Sequence, residues 1–206
     1  MYSKRTGLIL GFHGCDEKVR DSIVANKNAI LSPSENNYDW LGNGVYFWEN
    51  NYTRALKYAH DLKKHPIKSK TRIKTPSVLG AIIDLGHCLD LLDSQYLDLL
   101  KMGYKILTEV HNTHGLEIPQ NKPVETQGDL LLRNLDCAVI EMIHQFNKEE
   151  NLHEFDSVRG VFWEGQDLYP NAGFKEKNHI QIAIRNPNCI KGFFIPRELN
   201  NGFPKP

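Results

Sequence analysis

The sequence predicts an α+β fold, on three observations. Short apolar and β-branched runs bounded by turn residues occur toward both ends of the chain, segments with apolar residues at helical spacing lie between them, and the connections are of hairpin type instead of a regular strand–helix alternation. A doubly wound parallel sheet would need that alternation throughout.

Residues 7–14 read as a buried opening strand that ends at His13. Residues 16–27 place Val19, Ile23 and Val24 at helical spacing behind Asp16, which can cap the N-terminus, so a helix is predicted. Ser32-Pro33-Ser34-Glu35-Asn36-Asn37 is a loop, and a strand around Tyr46 follows it. Asn50 and Asn51 are capping candidates for a helix over 52–64 with Ala55, Tyr58, Ala59 and Leu62 on its buried side, which brings Tyr58 near Tyr46. The run 78–85 is the next strand, and a helix starting in the 90–93 region carries Tyr96, Leu99 and Leu100 toward the core. Residues 111–127, polar and containing Pro119 and Pro123, read as a long loop. Gly128 opens the longest predicted helix, 129–146, with Leu132, Leu135, Val139, Met142, Ile143 and Phe146 on one face. After a charged connection at 147–154 come closing strands at 158–163, 180–184 and 189–195, the last two joined by the turn Arg185-Asn186-Pro187-Asn188. The tail from Asn200 to Pro206 is expected to fray.

At 206 residues the chain is expected to form one domain, 1–206, large enough for a core without staples. A hydrophobic share of 40% with mean hydropathy −0.47 indicates a soluble globular class. The longest apolar runs fall well short of the roughly 20 residues that a membrane helix needs. The basic start at Met1 has no apolar region behind it, so neither a signal peptide nor a membrane partner is expected. Cys15, Cys88, Cys137 and Cys189 are scattered without Cys-x-x-Cys pairing and read as reduced thiols, with the cytoplasm as the expected compartment. Lys+Arg 25 against Asp+Glu 25 removes any global attraction to nucleic acid. Charge is local: Lys63, Lys64, Lys68, Lys70, Arg72 and Lys74 fall in a stretch with no acid, read as a solvated loop or a polyanion-facing arm. His111 and His114 form His-x-x-His but lack a Cys or Glu at metal-ligand spacing, so no metal is expected.

Chemistry concentrates in Phe12-His13-Gly14, Leu41-Gly42-Asn43-Gly44-Val45-Tyr46-Phe47-Trp48 and Tyr58. Two glycines one residue apart, running into an aromatic strand, describe a main chain that turns tightly and can approach a flat ligand, with the Tyr46 ring and hydroxyl beside it. Singly, His13 reads as a core histidine, Tyr46 and Tyr58 as core aromatics, and the glycines as turn residues. Their order along the chain gives them weight together.

In that order the residues resemble the ADP-ribosyltransferases of the poly(ADP-ribose) polymerase and diphtheria-toxin group. Members pair a His-Gly dipeptide with Gly-x-Gly-[Ile/Val]-Tyr-Phe on a later strand and a second tyrosine on the next helix, here His13-Gly14, Gly42 to Phe47, and Tyr58. The likeness covers residues 13–59 well and about 178–194 more loosely. It implies a split β-sheet core with flanking helices and NAD+ as substrate. His13 would bind the adenine-side ribose, Gly14 would contact nicotinamide through its main chain, Gly44 would line the site, and Tyr46 and Tyr58 would stack on the ring. Ser32 and Ser34 lie between the two motifs and can reach ribose or phosphate.

The chain departs from the group where a late strand would begin with glutamate. It reads Asn178-His179-Ile180-Gln181-Ile182, and alternation places His179 and Gln181 on one face. Gln181 is the candidate for the glutamate's place. A glutamine can hold a ribose hydroxyl but cannot take a proton, so deprotonation would fall to His179, Glu176, Glu164 or the acceptor itself, and mono-ADP-ribosylation is implied instead of polymer formation. Tyr46, His179 and Gln181 are the catalytic candidates. The implied enzyme modifies protein, RNA or DNA as a toxin or phage-defence effector, with a neutralising antitoxin as a further partner. The alternative is a module that binds NAD+ or ADP-ribose without catalysis; RNA 2′-phosphotransfer ranks last.

Overall fold

In the computed structural model the described residues are 7–66, 72–123 and 129–204; Lys68, Lys70 and Gly128, named above, lie outside them. The opening strand β1 (Ile9–Asp16) runs into helix α1 (Glu17–Ala25), and Asp16 makes the junction. Its carboxylate accepts from the Lys18 N–H as an N-cap, and from the N–H groups of Lys74 (2.7 Å) and Thr75 (3.0 Å). These amide donors hold the Asp16 carboxyl below its usual range. Strand β2 (Val45–Glu49) leads through Asn50, at positive φ, to α2 (Tyr52–Lys64), where the Asn51 side chain accepts from the Arg54 N–H. Then follow β3 (Pro76–Ile83), β4 (Cys88–Asp90), α3 (Ser94–His114), the short pair β5 (Asn121–Lys122) and β6 (Leu132–Arg133), α4 (Asn134–Glu149), β7 (Ser157–Phe162), β8 (His179–Ile184) and β9 (Ile190–Phe194).

Seven strands form one mixed sheet in the order β4-β7-β8-β2-β1-β3-β9, antiparallel except for the β4–β7 pair. With four α-helices among the described residues, the architecture agrees with the α+β expectation. No helix among them is long and apolar enough to cross a membrane. One sheet face buries Phe47, Leu79, Ile83, Ile182 and Ile184 toward α1. The other buries Leu89, Val158 and Ala183 under Leu107 of α3 and Ile140 and Ile143 of α4. A third cluster seats α2 on Trp48 and Val78 through Ala55.

One irregularity positions the site. The β1–β2 ladder consists of Gly11 opposite Glu49 and Phe12 opposite Trp48, whereas β1 stays paired with β3 down to Asp16. The Leu10 carbonyl accepts from the Asn50 N–H, so by alternation Phe12 and Gly14 turn their main-chain groups to the same edge. At Gly14 that edge meets a gap, because β2 has parted from β1.

Three expectations are corrected. The segment from His111 is not yet loop: α3 continues to His114 and is the longest helix among the described residues, ending where Gly115 takes the left-handed conformation (φ 65°) that closes a helix. Polar residues at 111–114 are its solvent-facing last turns, and polarity alone does not stop a helix. The helix expected over 129–146 starts later, at Asn134, because Leu132 and Arg133 pair with β5 and Asn121 accepts from the Leu135 N–H (2.9 Å). The last two strands do not form a hairpin: β8 lies between β7 and β2, while β9 joins β3 at the far edge of the sheet. Of the three apolar residues at helical spacing in α1, Ile23 is buried, Val19 packs beside it and Val24 is exposed.

Candidate functional site

On β2, Tyr46 and Trp48 point to one face, and across the strand pair they stand opposite Ala183 and Gln181. His179 continues that row on β8, opposite Phe162 of β7. A cavity of about 630 Å³ opens over this face, beside the parting of β1 and β2. Its floor is the strand row, one wall is α2 with Tyr58 and Arg54, and the other is the loop from Ser32 to Trp40. Of the residues singled out in the sequence, His13, Ser32, Ser34, Gly44, Tyr46, Tyr58, His179 and Gln181 all line it.

Gly14 does not line it. A Cβ there would stand 2.2 Å from the Ala55 carbonyl oxygen, so this glycine admits α2 against β1 and offers the site only its main-chain edge. His13 spans the gap instead, its Nδ1–H donating to the Tyr46 carbonyl (2.8 Å) where a continued ladder would have paired Gly14 with Tyr46. The imidazole is thereby fixed in tautomer and orientation.

Tyr46 differs from the expectation that its hydroxyl is offered to a ligand. The hydroxyl donates to the Gly42 carbonyl (2.8 Å) and accepts from the Leu41 N–H (3.0 Å). Burial raises its pKa well above the ordinary tyrosine value. Tyr46 therefore brings a ring face to the cavity, and its hydroxyl braces the 41–44 turn. Gly42 supplies the positive φ (74°) of that turn. The Asn43 N–H donates to Glu141 of α4, which also pairs with Arg185. Ser34 and Gly44 exchange main-chain hydrogen bonds, tying the loop to β2, and the Ser34 hydroxyl accepts from Asn36.

Tyr58 leans on Trp48, ring centroids 4.8 Å apart at 48°. Burial, with smaller contributions from Tyr38 and Asp39, pushes its pKa up to about 12, so it stays a neutral phenol. Gln181 is held by Trp40, whose indole Nε1–H donates to the Gln181 Oε1 (2.6 Å). An indole nitrogen only donates, which fixes the amide: the oxygen faces Trp40 and the NH2 is left for the cavity. Trp40 reaches this position by lying over Gly160, where any Cβ would come within 2.8 Å of its ring.

Three further polar groups in the cavity wall are buried without a hydrogen-bond partner: Trp48 Nε1, His179 Nε2, and both Nε and Nη1 of Arg54. The His179 Nδ1–H donates to the Lys177 carbonyl, so Nε2 carries the lone pair, and burial lowers the pKa to about 4. Arg54 lies over the Trp48 ring and reaches Glu164 through Nη2 alone (3.4 Å). Glu164 also accepts from Lys177 (2.8 Å), so each of its oxygens is engaged by a cation. Glu176 lies outside this cavity, in a neighbouring groove.

Trp40, Arg54 and Phe162 also line the cavity, and no motif in the sequence marks them. Arg54 was within reach, since it lies four residues before Tyr58 on α2 and so shares its helical face. Trp40 carried no local signal, because its partner is 141 residues away. Among the described residues no group of three or more His, Cys, Asp or Glu is placed to hold a metal.

No protein-family model and no solved structure matches the chain. It is similar to an uncharacterized protein of Methanocaldococcus jannaschii, 27% identical over 202 residues, which span 87% of this chain and 83% of that one.

Proposed function

We propose that the protein is an NAD+-dependent mono-ADP-ribosyltransferase with the split-sheet fold of the poly(ADP-ribose) polymerase and diphtheria-toxin group, acting on a macromolecule. One observation carries the reading: His13, Gly44, Tyr46 and Tyr58 of that group's pattern, with Gln181 where the group has glutamate, line a single cavity at the place where β1 leaves β2, although His13 and Gln181 are 168 positions apart. Its volume of about 630 Å³ lies within the ~300–1,000 Å³ of small-molecule sites. Nicotinamide lies between the Tyr46 and Tyr58 rings, its carboxamide at the main-chain edge of Gly14, and the His13 ring meets the adenine-side ribose.

In the reaction the bond from ribose C1′ to the nicotinamide nitrogen breaks, and nicotinamide leaves as a neutral ring with the electron pair. The acceptor's nitrogen or oxygen bonds to C1′, and its proton passes to His179 Nε2 and on to solvent. The Gln181 NH2, aimed by Trp40, donates to a hydroxyl oxygen of the nicotinamide-side ribose and fixes the sugar while charge develops at C1′. Held at a pKa of about 4 by burial, the His179 ring is unprotonated at neutral pH and free to take the acceptor's proton as it is lost.

The same pinned Gln181 favours a second reading, a module that binds NAD+ or ADP-ribose without turnover, because no carboxylate stands at that position. Incubation with NAD+ labelled in the adenosine half, with separate pools of protein, RNA and DNA, separates the two. The transferase reading predicts nicotinamide release and label on one pool, both lowered by Gln181→Ala. Binding of NAD+ with no release in any pool selects the module.

A further inference from the structure

The cavity has a neighbour. A groove of about 680 Å³ runs along the outer side of α2, bounded on its far side by the segment that leads into β8, and Arg54 lines both hollows. The α2 wall contributes Lys57, His60 and Lys64 with Asp61; the opposite wall contributes Lys177 with Glu176. Arg54 and Lys177 share Glu164, so with Asp61 and Glu176 four fixed cations stand against three carboxylates; the small excess comes from Lys57 and Lys64, which have no ion-pair partner among the described residues.

The far wall is a turned-back segment, held by main-chain hydrogen bonds from Leu168 to Phe174 (3.1 Å), Glu176 to Gln166 (3.0 Å) and Lys177 to Glu164 (3.0 Å). It carries Tyr169 and Phe174 with 56% and 59% of their surface exposed. Cations along a groove and exposed aromatic rings on the segment that supplies its far wall answer two features of one ligand class: the phosphates of a nucleic-acid backbone and the faces of unpaired bases. An acidic peptide would engage the cations and leave the rings unused. A duplex would hide its base faces.

Arg54 joins the groove to the cavity, and there the structure is most incomplete. Two of its guanidinium nitrogens are buried with no partner, on a side chain only 11% exposed, beside the equally unpartnered Trp48 Nε1. Buried donors left without acceptors destabilise the ligand-free fold and are relieved by an oxyanion.

We propose that this groove binds single-stranded nucleic acid, and that Arg54 holds the phosphate of the nucleotide that enters the cavity to receive the ADP-ribosyl group. Strand binding stands on the groove alone; receipt of the group rests on the transferase reading above.

The test measures anisotropy of fluorescein-labelled single-stranded RNA, single-stranded DNA and duplex with the full chain at low and moderate salt, without NAD+. Single strands are expected to bind in preference to duplex and to weaken as salt rises, by a slope of about 0.7 per phosphate engaged. The exposed pair Lys57→Glu/Lys64→Glu is expected to weaken binding by about tenfold or more. Tyr169→Ala/Phe174→Ala is expected to weaken it by roughly fivefold or more with the salt slope kept. Absence of strand binding by wild type, equal binding by both double variants, or equal competition by polyglutamate overturns the proposal. A parallel thermal-shift titration with NAD+ keeps the two ideas apart. Lost strand binding with an intact NAD+ response removes the groove alone, and strand binding with no NAD+ response removes the transferase reading and leaves the groove.

Discussion

Two buried arginines in this molecule are treated in opposite ways. Arg159, on β7 beneath the sheet, has every guanidinium nitrogen occupied: Nε and Nη2 by Glu49, Nη1 by both oxygens of Asp90. Arg54, on α2 at the cavity, has one contact to Glu164 and two nitrogens with none. Both are desolvated, with side-chain exposures of 3% and 11%. The first, with a complete internal set of partners, ties β7 to β2 and β4, and the second keeps two buried donors unspent beside the cavity. The same contrast separates Gln181, whose oxygen is used and whose NH2 faces the cavity, from the Tyr46 hydroxyl, which is used on both sides.

The contrast breaks most visibly under substitution. Arg159→Met removes the guanidinium that Glu49 and Asp90 share, and about 3–5 kcal/mol of stability is expected to go. At about 2–4 °C per kcal/mol this lowers the melting temperature by on the order of 10 °C, measured by calorimetry. Tyr58→Ala removes one wall of the proposed nicotinamide slot, and nicotinamide release is expected to fall about a hundredfold, near 2.7 kcal/mol of transition-state stabilisation. A variant that keeps its turnover would place the nicotinamide elsewhere.

Acid sharpens the comparison through two histidines. Burial lowers the pKa of His144 to about 3 and of His179 to about 4, below the ordinary 6.5. The unfolded chain therefore takes up these protons near pH 6.5 while the folded chain does not. Stability is full above pH 6.5 and falls as pH drops toward 4 and then 3, by up to about 1.4 kcal/mol per pH unit for each histidine. His144, buried against Phe155 with no partner for either ring nitrogen, is far from the cavity chemistry. His144→Phe is expected to remove about half of this slope in urea titrations between pH 6.5 and 4, and a slope unchanged in the variant would assign it to other groups. The smallest effect is on Arg54. Because its buried nitrogens have so few partners, Arg54→Gln is expected to change stability by less than about 1 kcal/mol, against several for Arg159→Met.

Much of this arrangement was legible in the sequence where the cause is local. The Asp16 and Asn51 caps, the extent of α2 and the face shared by His179 and Gln181 all follow from short-range spacing, and all stand in the structure. What escaped has causes far along the chain. The start of α4 is set by Asn121, β9 leaves β8 to join β3, and the Gln181 amide is oriented by Trp40 from the opposite wall. Gly14 shows the limit within a motif: its residue type was read as serving a ligand, while its missing Cβ serves the approach of Ala55.

The account's central claim, that the cavity at the parting of β1 and β2 holds NAD+, is tested most directly by calorimetric titration of NAD+ into wild type and His13→Ala. The account predicts saturable binding at one site in the wild type and a dissociation constant raised about tenfold in the variant, near 1.4 kcal/mol. No binding by the folded wild type, or the same dissociation constant in both proteins, would contradict it.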